Sequence, residues 1–331
     1  MTQRRFFFPI PIAMAIPALL LGWAAQAQTP RTSWGDPDLQ GRWSNATLTP
    51  LQRPAELGDK AFFTPEEARA YVEERLVSGN ADLRIEEDRE AGEVGSYNNA
   101  WTDRGTDIVP TLRTSLIVEP ANGRVPPFTP EAQRQHEANL AYGAMHPADT
   151  PADRFLTERC IVFGGGAAPM FPEPYNNNYY IVQTPDYVTI MAELNHEVRI
   201  IPLDGRPHFP GHVRQWVGDS RGYFEGDTLV VETTNQQPNR HFYGVQMLNS
   251  VVGENFRVVE RFTRTAPDQI RYQATVDDPT VFVEPWTVEM FMHPQAGRLV
   301  EFACHEGNYG MRGLLTAARA EERRAAEAGD E

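Results

Sequence analysis

Glu193, His196, Arg206 and His208 fall within one short stretch of the chain, around the turn residues Leu203-Asp204-Gly205. Two imidazoles can exchange protons near neutral pH, a carboxylate can orient one of them, and a guanidinium can hold an anionic or carbonyl oxygen. The expectation is proton transfer to a substrate held by Arg206, with turn chemistry and surface salt bridges as the plainer account of the same residues. A metal is the other alternative. His208 and His212 stand four apart, a ligand spacing when it falls on a helix, and His196 or His305 would complete a zinc-binding set if the fold brings them together. Pro207, Pro210 and Gly211 argue against a helix there, so the first expectation is no cofactor. Two further residues join the candidate catalytic set. Glu260 shares an alternating face with Val258 and Phe262, which makes it either a buried general acid or the partner of a distant arginine. His305 follows the last expected strand, at a rim.

Ligand contacts are expected from amides beside flat rings. The runs Tyr97 to Trp101 and Tyr175 to Tyr180 interleave asparagines with aromatics, a surface suited to sugars and oxygenated ring compounds. Asn177, Asn178, Tyr180, Trp286 and Arg206 form the expected binding set. Asparagine is also a turn residue, which accounts for these runs by structure alone. Other motifs carry less: Gly164-Gly165-Gly166 lacks a phosphate loop's Gly-Lys, and Ser220 lacks the glycines of a nucleophile elbow.

Positioning these residues requires strands. From Asn178 onward, short runs rich in β-branched and aromatic residues alternate with turn residues. Strands are expected at 179–184, 187–194, 198–202, 228–234, 256–263, 270–277, 287–292 and 299–304. The run from Ile270 to Asp277 sets Ile270, Tyr272, Ala274 and Val276 against Arg271, Gln273 and Thr275. That period of two predicts an antiparallel sheet with one apolar face, and there are enough strands to close. The fold class expected is mainly β, a meander closing into a barrel, with a two-sheet sandwich as the alternative. Earlier in the chain, Thr64-Pro65-Glu66-Glu67 has capping-box form and Thr129-Pro130-Glu131 starts a second helix. The division expected is 1–27 signal peptide, 28–150 helix and loop packed on the barrel, 151–310 barrel, and 311–331 C-terminal helix.

The first residues predict export. Arg4 and Arg5 precede an apolar stretch from Phe6 to Trp23, and Ala25-Gln26-Ala27 offers a signal-peptidase site. A periplasmic or secreted protein follows, without membrane insertion after cleavage. The net charge of −15 repels phosphate backbones and anionic lipid, so nucleic acid is not an expected partner. Lys60 is the only lysine, which leaves Schiff-base chemistry no other candidate. Cys160 and Cys304 are the only cysteines and are expected to pair in an oxidising compartment.

The segments DPDLQGRW, SLIVEPANGR, YNNNYYIVQTPD, IIPLDGRPH, QWVGDSRGYFEGDTLVVETTN and CHEGNYGM are spread over most of the mature chain, from Asp36 to Met311. Together they resemble a large group of exported, uncharacterised bacterial proteins. The resemblance implies export and supplies no activity. The strand pattern by itself looks lipocalin-like or calycin-like. The function expected is a small-molecule-binding barrel acting on an oxygenated organic compound by acid–base chemistry, as a lyase, hydratase or isomerase. A non-catalytic ligand-binding protein and an accessory component of a cell-surface assembly are the alternatives.

Overall fold

The computed structural model describes residues 29–80, 102–238 and 253–329. The expected signal peptide and the Tyr97 to Trp101 run lie outside the described residues. Ten strands form one antiparallel sheet: β1 (Gly41–Ser44), β2 (Ile117–Glu119), β3 (Asn178–Gln183), β4 (Tyr187–Ala192), β5 (Val198–Pro202), β6 (Asp219–Glu225), β7 (Thr228–Thr234), β8 (Arg257–Ala266), β9 (Gln269–Asp277) and β10 (Trp286–Pro294). Their order is β5-β4-β3-β1-β10-β9-β8-β7-β6, with β2 added alongside β10. The nine strands of the main path curl into a nearly closed barrel, as the meander and its alternation predict.

The seam lies between β5 and β6, which meet through side chains. Gly222 makes that approach feasible, because a Cβ there would sit 2.7 Å from Ile201 Cγ2 and 3.0 Å from Leu203 Cδ2. β6 was absent from the expected strands, since its Gly-Asp-Ser-Arg-Gly opening reads as turn sequence. The expected strand at 299–304 does not form. That segment is irregular and tied down by the Cys160–Cys304 disulfide, with Cα atoms 5.7 Å apart.

β1 inserts between β3 and β10, bringing Trp43 into the core, where its indole N–H donates to the Leu39 carbonyl at 3.0 Å. α1 (Pro65–Ser78) starts on the expected capping box of Thr64 and Glu67, and Thr129 caps α2 (Pro130–Met145). α3 (Gly310–Gly329) is the C-terminal helix. Among the described residues no helix is long and apolar enough to cross a membrane.

Inside the barrel, Ile270, Tyr272, Ala274 and Val276 of β9 face Val258, Glu260 and Phe262 of β8 and Trp286, Val288, Met290 and Met292 of β10, all buried. Each large apolar side chain so buried stabilises the fold by roughly 1.5–3 kcal/mol. Met170 and Phe171 plug the interior, and the Phe171 ring stacks on Trp286 with centroids 6.0 Å apart.

Candidate functional site

The four residues expected to converge do not, because the turn was misplaced. The β4–β5 connection is the loop Glu193 to Glu197, closed by a hydrogen bond from Ala192 N–H to the Glu197 carbonyl at 2.8 Å. Asp204-Gly205 instead follows the far end of β5. Tyr187 pairs with Pro202 there, and Met191 with Val198 at the loop end. The length of β4 therefore separates the two groups, about 20 Å at strand rise.

At the far end, Arg206 is committed to turn chemistry. Its Nε donates to Asp204 Oδ1 at 2.9 Å, and its Nη2 to the Tyr187 hydroxyl at 3.1 Å. Hydrogen bonds from the Arg206 side chain and backbone N–H hold the Asp204 carboxyl down at about 2. His208 lies against the barrel's outer wall. Its Nδ1 is 2.9 Å from Asp219 Oδ2 and its Nε2 3.2 Å from Glu232 Oε1. Asp219 also accepts from Phe209 N–H and pairs with Arg221, while Glu232 pairs with Arg257. Every group is engaged, so His208 pins the 204–218 crossing to β6 and β7. His208→Ala leaves the buried Asp219 carboxylate short of one partner and is expected to lower stability by about 1–3 kcal/mol. Chemical denaturation checks this, and an unchanged midpoint would remove the pinning role.

Glu260 takes the second of its two expected roles. Its carboxylate accepts from Arg199 Nη1 at 2.9 Å, pairs with Arg199 Nη2, and accepts from the Tyr272 hydroxyl at 2.8 Å. Arg199 Nη2 also reaches Ser220 and Thr233, and Met170 N–H donates to Tyr272 Oη at 2.9 Å. This network sits in the sealed interior and is structural. Trp286 is likewise buried in the core, and Tyr180 faces outward from the wall. His212 and His305 are exposed. Among the described residues, no three His, Cys, Asp or Glu side chains are grouped to hold a metal ion, so His196, His208 and His212 do not assemble a zinc site.

What remains gathers at the rim where β3 begins and β4 ends. Glu193 is buried, and its two carboxylate oxygens accept from Asn176 Nδ2 at 2.6 Å and Asn178 Nδ2 at 3.1 Å. Asn178 is in turn aimed by Gln295, whose Nε2 donates to its Oδ1 at 3.0 Å. Asn177 is a turn residue: its Oδ1 accepts from Glu173 N–H at 2.6 Å, and its Nδ2 donates to the Glu173 and Asp103 carbonyls. Asp103, half-buried beside them, has its carboxyl raised above the ordinary range by burial and by the charge of Glu193, against hydrogen bonds from the backbone of Gly105 and Asn177. His196 stands on the same rim, its Nε2 accepting from Phe302 N–H at 2.9 Å. The Phe302 ring stacks on Tyr175 at 6.2 Å and meets Phe163 edge-on at 5.3 Å.

The rim thus combines two carboxyl groups, amides, an imidazole and aromatic rings. Tyr175 and Asn176 belong to the expected asparagine-aromatic run, whereas Asp103 and Phe302 were not expected. Asp103 and Phe302 reach the rim only through tertiary contacts.

The architecture is a nearly closed antiparallel β-barrel. No family model matches the chain, and no curated protein matches it significantly. Among solved structures it is similar to the crystal structure of a mutant of the fluorescent protein UnaG, at 13% identity over 37% of this chain and 72% of that chain, with a TM-score of 0.22.

Proposed function

We propose that this is an exported, periplasmic or secreted protein that binds a small oxygenated organic compound at the barrel rim and acts on it by acid–base chemistry. The barrel fold is compatible with small-molecule binding. Core side chains and the Met170–Phe171 plug fill the interior, which favours the rim as the place for a ligand.

One observation carries the reading: two carboxyl groups share the rim in contrasting environments. Glu193 is held by two amide donors, while Asp103 keeps its proton to higher pH because of burial and the neighbouring charge. Such a pair divides the work, one group protonating and the other accepting. Addition or elimination of water, or isomerisation, needs that division and no redox cofactor. Tyr175 and Phe302 supply flat surfaces for a ring.

Native mass spectrometry against methyl glucosides and hydroxylated aromatic aldehydes tests binding. Glu193→Ala is expected to weaken any compound bound by roughly 10-fold or more, the worth of a hydrogen bond to a charged group. Affinity should also fall as pH rises through the raised value of Asp103, where its donor proton is lost; the stability it contributes declines over the same window, between the ordinary carboxyl pKa and the higher folded one. Undiminished binding by the variant would move the site away from the rim.

A further inference from the structure

We propose that Phe302 is a positioning residue whose backbone N–H fixes His196 as the neutral Nδ1–H tautomer, so that the imidazole is a hydrogen-bond donor to the ligand and not a base. The role toward ligand rests on the rim reading; the tautomer itself does not.

A ring nitrogen that accepts a hydrogen bond carries no proton, and the other nitrogen must then carry it in the neutral ring. His196 Nε2 accepts from Phe302 N–H at 2.9 Å. Nδ1 has no protein acceptor among the described residues, and the side chain is exposed at the rim. Its one available proton therefore points to whatever binds there. A neutral imidazole used this way polarises a carbonyl or hydroxyl oxygen without a charge being desolvated.

Both partners of this bond are held from elsewhere. His196 follows Asn195 in the β4–β5 loop, and both have positive φ, 59° and 52°. Left-handed conformations in non-glycine residues persist where surroundings over-determine them. Phe302 belongs to the irregular segment after β10. Its ring is wedged against Phe163 and Tyr175, and Cys304, two residues on, is disulfide-bonded to Cys160. Three anchors on one residue keep the amide in place, which is the condition for a backbone group to set a tautomer.

The test uses the full, oxidised protein labelled with ¹⁵N-histidine, read by long-range ¹H–¹⁵N correlation at about pH 8.5, above the range in which histidines charge. His196→Gln identifies the His196 signals by their loss. Wild type is expected to show Nδ1 protonated and Nε2 bare; a protonated Nε2 overturns the proposal. Phe302→Ala keeps the amide but removes the ring's two anchors, so the Nδ1–H pattern should weaken part of the way toward that of a variant lacking the donor. Phe302→Pro removes the donor, and both ring nitrogens should shift toward averaged values. A folded proline variant with the wild-type pattern would also overturn the proposal. Should that variant not fold, the wild-type and alanine spectra decide. A confirmed tautomer with no binding at the rim would fail the functional reading alone.

Discussion

Glu260→Ala is expected to lower stability by about 3–5 kcal/mol, because it strands a buried guanidinium. The side chains of Arg199 and Glu260 are 1% and 0% exposed. Burial pulls the Arg199 pKa down, but the charge and hydrogen bonds of Glu260 more than offset it and hold the guanidinium above its ordinary range. Without the carboxylate the burial penalty loses its main offset, leaving Arg199 only the Ser220 and Thr233 hydroxyls, and Tyr272 loses the acceptor of its hydroxyl. A domain with about 5–15 kcal/mol of total stability would lose a large share. The double variant Arg199→Met/Glu260→Leu removes both charges and should recover much of the loss. Denaturant melts of both variants and wild type decide it. A single variant as stable as wild type would mean the pair is solvated, and Glu260 would again be a candidate acid.

Reducing the Cys160–Cys304 disulfide is expected to cost about 5 kcal/mol on the chain-entropy account, given its sequence separation of 144. The bond closes a loop spanning β3 to β10, so its loss releases most of the barrel's chain in the unfolded state. It also ties the 300–309 segment to the loop that carries Phe163 and the plug. Melts with and without reductant, beside Cys304→Ser, measure the effect. Thiol titration of the unreduced, unfolded protein should find no free thiol. Equal midpoints with and without reductant would limit the bridge to holding the rim.

The asymmetry between these two features says what was legible. Two cysteines and no others predict one bridge, and counting suffices. The strands were legible for a comparable reason: alternation at period two depends only on neighbours in the chain, so β8, β9 and β10 could be read directly. The capping box of α1 is equally local, with Thr64 and Glu67 three residues apart. β6 was not legible, since Gly222 is there for contact with Ile201 of β5 and Leu203 just beyond it, across the seam between the two ends of the sheet.

The site shows the same boundary. Glu193, His196 and Asn178 were recognisable by type, and the structure places them on one rim. Arg206 and His208 are as close in sequence but lie elsewhere, because one five-residue strand carries the chain from one end of the barrel to the other. Glu260 could be placed on an apolar face from its own strand alone. Whether it met an arginine depended on β5 arriving across the seam from β6. Asp103 and Phe302 had no local signal at all, since each reaches the rim through bonds to Pro174, Asn177 and His196. Residue types and local periodicity determined the strands, the bridge and the menu of chemistry. Only closure of the barrel decided which of those residues meet, because contacts between distant segments are set by where strands end and how the sheet curls.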